Sequence, residues 1–318
     1  MVTILAGMSK NMSVDIRSTE EITRTLMKSA VPERAKEIDE LWANYRPRVF
    51  VAGDKNGVIL DATKERIEFG PKTMKVFWLI GFSGWRAIEC YSPHVILSAK
   101  YGKELHELFD DDEDLPELEL TYRERLASAR SLIEQRDVDD ILWPYDLPCP
   151  VLNRDTFDSD QHKTVYDLVV IATAFAFFHE FRHVMLDRDN LRSSDRREEE
   201  LQCDVWAREF MTVKLASFAN DNDHMHCEVM RKRSMGLALA ALILHVITPK
   251  NSFNPHYFSI KTRLKTLLLD TKLPDNDHFW VFVASLLVGI FRAEHIEFSP
   301  TPMSPRQLAE YFLELLSD

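Results

Sequence analysis

Nine glycines in 318 residues constrain this chain more than any other feature. They make up about 3% of the sequence, where ~7% is usual. Turn-dense all-β folds and glycine-rich phosphate loops both use glycine heavily, because only a residue without Cβ takes positive φ freely. Neither a GxGxxG fingerprint nor a P-loop occurs. Helix tolerates glycine poverty best. The expected fold is therefore mainly α with a small antiparallel β element, an α+β chain.

Hydrophobic residues at 45% and charged residues at 28% suit a globular chain and exclude wholesale disorder. The length suffices for a sizeable core, in one large domain or two lobes sharing a cleft. The net charge is −12, and no Lys/Arg stripe with interleaved aromatics is present, so no nucleic-acid partner is expected. Four scattered cysteines (Cys90, Cys149, Cys203 and Cys227) form no CxxC pair and suit a reducing, cytoplasmic setting. The N-terminal apolar run is too short for a secretory leader. Apolar stretches at 168–178, 235–248 and 279–293 fall short of the ~18–20 residues that cross a bilayer. A soluble chain without a membrane partner is expected.

Along the chain, residues 15–45 place apolar side chains at helical spacing, one amphipathic helix or two. Residues 48–62 change period and predict a strand, an Asn56-Gly57 turn and a second strand, with a third short strand at 66–69. Residues 72–91 predict a core helix and 121–136 a polar surface helix. The acidic run Asp110–Asp114 lacks the alternating ligands and glycine of a calcium loop and fits a solvated turn. Three prolines within 143–150 suggest a linker. It would separate an N-terminal lobe, 1–150, carrying a β-hairpin and helices, from a helical lobe, 151–318.

The chemistry concentrates after that linker. Residues 166–186 form a long apolar helix whose last turns carry His179, Glu180 and His183 as HExxH. Two histidines at i and i+4 share a face, so both imidazoles reach one cation, and zinc accepts nitrogen ligands at ~2.0–2.1 Å. Glu180 projects roughly 100° away and can hold the attacking water. Chance supplies about 0.03 such matches in a chain of this composition.

A catalytic zinc needs a third protein ligand and one open position. Residues 198–211 predict a second helix on which Glu200 and Asp204 share a face. Glu200 would complete a His/His/Glu shell, and Asp204 would accept a hydrogen bond from the free ring nitrogen of a ligand histidine. Glu198 and Glu199 fit a helix N-terminus that favours negative charge. Oxyanion donors could come from His224, His226, His256 or Arg263, and Arg263 could instead pair with Asp204. His224 and His226 sit in a polar loop and fit solvated residues better than a second metal site. His245 fits a hydrogen-bonded core histidine, and Trp206, Phe210 and Met211 fit the core.

HExxH followed by Glu200-Leu-Gln-Cys-Asp204-Val-Trp-Ala207 resembles the gluzincin metallopeptidases, among them the CAAX-protease/HtpX and ImmA/IrrE types. A strand-containing, Trp-rich first part, a late HExxH and a distal segment running from Asn254-Pro255-His256 to Arg263-Leu264 resemble the Lit-type phage-exclusion peptidases most. This resemblance implies a zincin-like peptidase built on an active-site helix plus a Glu helix. It also implies a zinc-dependent, cytosolic bacterial endopeptidase with Glu180 as general base and His256 and Arg263 as further catalytic candidates. Such an enzyme would stay quiet until infection, respond to an activating peptide or protein, and cut a host protein such as a translation elongation factor. The alternative is an ImmA/IrrE-like metalloprotein that cleaves or binds a transcription repressor.

Overall fold

The computed structural model describes residues 16–52, 57–70, 72–134, 143–151, 153–248 and 260–316. Helix dominates, as the shortage of glycine implies. Among the described residues the α-helices are α1 (Ile16–Ala30), α2 (Ala35–Tyr45), α3 (Thr73–Tyr101), α4 (Leu105–Asp110), α5 (Leu115–Glu134), α6 (Asp160–Arg188), α7 (Arg196–Thr212), α8 (Leu215–Asp221), α9 (His226–Ile247), α10 (Ile260–Leu268), α11 (His278–Ala293) and α12 (Pro305–Leu315). Three short strands precede α3: β1 (Arg48–Val51), β2 (Leu60–Thr63) and β3 (Arg66–Phe69).

α6 is the axis of the molecule. It opens at Ser159, whose side chain accepts from His162 N, and buries apolar residues on every side, as an enclosed helix must. Around it pack α1, α3, α7, α9 and β2. Two of the few glycines permit the closest approaches: a Cβ on Gly81 of α3 would lie 2.3 Å from Val169, and one on Gly236 of α9 2.3 Å from Ile171. The whole helix is longer than its apolar stretch at 168–178. By length and composition it could cross a membrane, although 67% of its most apolar window is buried among the other elements.

The sheet departs from the expected hairpin. Its order is β1-β3-β2, with β1 parallel and β2 antiparallel to β3. The tight turn lies at Lys64-Glu65, between the paired Thr63 and Arg66, rather than at Asn56-Gly57. Asn56 lies outside the described residues, and Gly57, at φ 86°, donates its N–H to the Ile133 carbonyl. β3 takes the central place because Ile67 and Phe69 bury well there, and both its edges are paired. One face of the sheet is apolar (Val49, Val51, Leu60, Ala62, Ile67 and Phe69), the period-2 pattern of a sheet covered on one side. Phe69 meets Phe177 of α6 edge-on, with ring centroids 5.7 Å apart.

α5 is not a purely polar surface helix. It buries Glu119, Tyr122, Arg125, Leu126 and Ala129 against its neighbours. The acidic run lies mostly on the surface, except that Asp112 reaches the buried His94 at 2.9 Å. The proline-rich stretch crosses a continuous hydrophobic cluster, whose members run from Met27 to Leu316. Trp78 Nε1 donates to the Pro148 carbonyl, and Arg125 donates twice to Asp146.

Candidate metal centre

α6 stops where Asn190 turns to φ 56°, a left-handed conformation that asparagine tolerates, while Leu191 N reaches back to the Leu186 carbonyl. α7 begins at Asp195, whose side chain caps Arg197 N. His179 contacts Asp204, and His183, one turn later, contacts Glu199 and Glu200, so the helices run antiparallel. Their facing sides hold His179, His183, Glu200 and Asp204, all buried.

The two imidazoles are fixed from behind. Nδ1 of His179 donates to Asp204 Oδ1 and Nδ1 of His183 to Glu199 Oε1, both at 2.9 Å. Carboxylates only accept, so each Nδ1 carries a proton and each Nε2 is turned inward. The inward atoms converge: Nε2 to Nε2 is 3.2 Å, His179 Nε2 to Glu200 Oε2 is 3.3 Å, and His183 Nε2 to Glu200 Oε1 is 3.4 Å. A tetrahedral ion with bonds of ~2.0–2.1 Å spaces its ligand atoms about 3.3–3.4 Å apart. The gaps lie close to that spacing, with the Glu200 carboxylate turning one oxygen to each imidazole, so the donor set fits a divalent cation.

The electrostatics call for positive charge at the same point. Burial disfavours a charged imidazole, yet the hydrogen bonds with Asp204 and Glu200 raise His179 to about 10. Burial likewise disfavours an ionised Glu200, but its contacts with His179 and His183 hold it well below the usual carboxylate range. Asp204 is also held low: the burial that raises it is outweighed by Arg263 and His179. Arg263, from α10, grips Asp204 at 2.6 Å (Nε to Oδ2) and 2.8 Å (Nη2 to Oδ1), with Nη1 3.9 Å from Glu200.

Glu180 has no ligand atom in the triangle. It lines the adjoining cavity of about 220 Å³, together with Leu60, Asp61 and Ala62 of β2. Burial raises it to about 7, with Glu200 and Asp61 adding to the effect and both histidines opposing it. A carboxyl near neutrality that can take up and release a proton suits general base and acid work.

The structure thus brings His179, Glu180, His183, Glu200, Asp204 and Arg263 together. His256 lies outside the described residues. His224 and His226 are exposed near the start of α9, away from the cavity lining. His245 is partly buried with Nε2 3.3 Å from Glu294, as a core histidine should be. Phe210 and Met211 belong to the core and Trp206 packs on it.

Glu199 was expected only to serve a helix terminus. Instead it is buried, and besides His183 it accepts from Ser193 N at 3.1 Å. Its signal was the second histidine, which needs an acceptor just as the first does. Asp61 carried no signal, since only the fold brings β2 to the cavity. Cys203 lies 3.5 Å from His183 Nδ1, but burial pushes its thiol above the ordinary range, leaving it a neutral neighbour.

A buried His/His/Glu cluster beside a carboxyl-bearing cavity, on a mainly helical scaffold with a small sheet, has the composition of a peptidase centre. The sequence comparison agrees. A model of the Peptidase U49 family matches residues 67–283, a span containing most of β3, the HExxH helix, all of α7 and Arg263. The chain belongs to this family, that of the Lit proteases. No curated protein and no solved structure matches it.

Proposed function

We propose that this chain is a zinc-dependent endopeptidase that cuts a cytosolic protein. The observation that carries the reading is the buried convergence of two imidazole Nε2 atoms, 3.2 Å apart, on the Glu200 carboxylate, whose two oxygens lie 3.3 and 3.4 Å from them. His179, His183 and Glu200 would hold the ion, and zinc suits two imidazoles and a carboxylate. Bound there, the ion supplies Lewis acidity toward the scissile carbonyl and the attacking water.

The chain's own residues do the rest. Asp204 and Glu199 keep both rings in one tautomer and orientation. Glu180 takes the proton of the attacking water and delivers it to the departing amine. Arg263 holds Asp204 and keeps cationic character beside the reacting carbonyl. β2 lies at the edge of the sheet with one side unpaired among the described residues, and it borders the cavity. An extended substrate segment would add to that edge by main-chain hydrogen bonds.

Family membership supports a protein substrate, and by the same resemblance we place the enzyme in phage exclusion. It would act in the cytoplasm on a translation elongation factor and be switched on by an activating peptide or protein. Four free cysteines, two of them buried, are compatible with that compartment. The decisive test is Glu180→Gln, examined with zinc bound in a lysate from infected cells. Retained zinc with no cleaved species is expected. Cleavage at the wild-type rate would contradict the mechanism, and a repressor as the sole cleaved species would favour the ImmA/IrrE-like alternative.

A further inference from the structure

Glu200 and Asp204 take their places only if α7 keeps its register against α6, and the far end of α7 is held by other elements. The last carbonyls of an α-helix have no partner inside the helix. In α7 two of them accept from arginines: Phe210 O from Arg34 Nη1 at 2.7 Å and Met211 O from Arg233 Nη1 at 2.6 Å. Arg34 belongs to the single 3-10 turn Pro32–Arg34 that joins α1 to α2, and Arg233 belongs to α9. Glu37 takes the rest of Arg34's fork at 2.8 and 2.6 Å, and the guanidinium carbon of Arg34 stands 3.7 Å over the Phe210 ring. Arg233 pairs with Glu33, the residue before Arg34, at 3.2 and 3.4 Å, and their side chains are only 5% and 3% exposed. One turn of chain therefore holds two carbonyls of α7, one directly and one through Arg233. Two cations at a helix C-terminus also suit its dipole.

We infer that the α1–α2 unit is a brace that sets α7 against α6, with Arg34 and Arg233 as positioning residues for Glu200 and Asp204. The inference rests on the zinc reading of the site. The same unit also grips α6. Trp42 and Tyr45 of α2 pack on Phe181 with ring centroids 5.5 and 6.3 Å apart, and Tyr45 Oη donates to Asp189 Oδ2 at 2.8 Å where α6 ends. Phe181 lies between His179 and His183 in the HExxH turn. In sequence α6 and α7 are joined by residues 189–195, at the end near His183. Phe210 lies six residues beyond Asp204, ~9 Å along α7, so the arginines hold the end that this connection does not. A slip of one residue would carry Glu200 ~1.5 Å from the two imidazoles and part Asp204 from His179. A working site tolerates only about 0.5 Å. Glu33, Arg34, Trp42 and Tyr45 all precede residue 67, where the family match begins, so the site draws support from outside the matched span.

The test measures zinc affinity by chelator competition and ligand geometry by the visible absorption of the cobalt(II)-loaded protein, in full-length variants that circular dichroism shows to be folded. Arg34→Met should bind zinc about 10-fold more weakly and shift the cobalt bands. Arg34→Lys keeps one donor for the Phe210 carbonyl, so its affinity should fall by less, about 3-fold, and it serves if the methionine variant does not fold. Arg125→Met is the control, because Arg125 makes the same kind of grip elsewhere, on Asp146 and the Phe82 carbonyl. It should lose stability but keep wild-type zinc affinity and cobalt bands. Wild-type affinity and bands in every folded Arg34 variant would overturn the brace while leaving the metal centre standing. An equal loss in Arg125→Met would overturn it too, since any destabilised variant would then behave alike. Wild-type protein that takes up neither ion would overturn the zinc reading, and the brace with it.

Discussion

Two buried polar clusters of this protein show how a structural site differs from a reactive one. In the first, Glu119 of α5 is 3% exposed and fully answered: Tyr91 Oη donates at 3.0 Å, Arg292 at 2.7 Å and Arg123 at 2.6 Å. Burial raises its carboxyl, but Arg292 outweighs burial and holds it below the usual range. In the second, Glu180, Glu199, Glu200 and Asp204 surround two imidazoles and one half-buried arginine, Arg263. The first cluster answers its one carboxylate in full and ties α3, α5 and α11 together. The second gathers more carboxylates than arginines and turns two ring nitrogens and a carboxylate inward on one point, an arrangement that suits a bound cation.

The sharpest way to break that comparison is to remove a ligand. Glu200→Ala should abolish stoichiometric zinc and lower cleavage by at least about 1,000-fold, measured by elemental analysis and lysate cleavage. Equal zinc content in wild type and variant would show that the two clusters do not differ as described. A smaller effect is expected one layer out. Asp204→Asn should weaken zinc binding by about 10–100-fold, in a competition titration with a chelator, because His179 loses the acceptor that fixes its ring.

Glu119→Ala should behave in the opposite way. Denaturant unfolding should show a loss of about 1–3 kcal/mol, with zinc stoichiometry unchanged. Loss of zinc in that variant would couple two regions that the account keeps separate. The smallest effect concerns a separate ion pair. Asp277 caps α11 at Phe279 N and pairs with Arg231 at 2.7 and 2.9 Å. Burial raises its carboxyl, but Arg231 and the Phe279 N–H hold it below the ordinary 3.8. Its stabilisation is therefore complete above the ordinary value and disappears as pH falls through the folded value. Asp277→Asn should cost about 1 kcal/mol near neutrality, with the gap to wild type closing in acid. A gap that widens in acid would reverse the sign.

The metal triangle was legible because helical geometry makes i, i+4 pairing a local property: His179 with His183 and Glu200 with Asp204 need only their own helices. Asp204's role followed from the chemistry of a ligand imidazole. Glu199 escaped because its place beside Glu200 resembled an ordinary charged helix start, and only the antiparallel packing turns it onto His183. The sheet order escaped for a related reason. The Asn56-Gly57 pair is a local turn signal, whereas the central place of β3 depends on Ile67 and Phe69 meeting partners on both sides. The cavity and Asp61's place in it arise from elements distant in sequence, β2, α3, α6 and α9, and no local pattern encodes their meeting.

The central claim is tested most directly by anomalous diffraction at the zinc edge from crystals of the zinc-loaded protein. The account predicts one strong peak about 2.0–2.2 Å from His179 Nε2, His183 Nε2 and a Glu200 carboxylate oxygen. No peak at that triangle, or zinc bound only elsewhere on the surface, would contradict it.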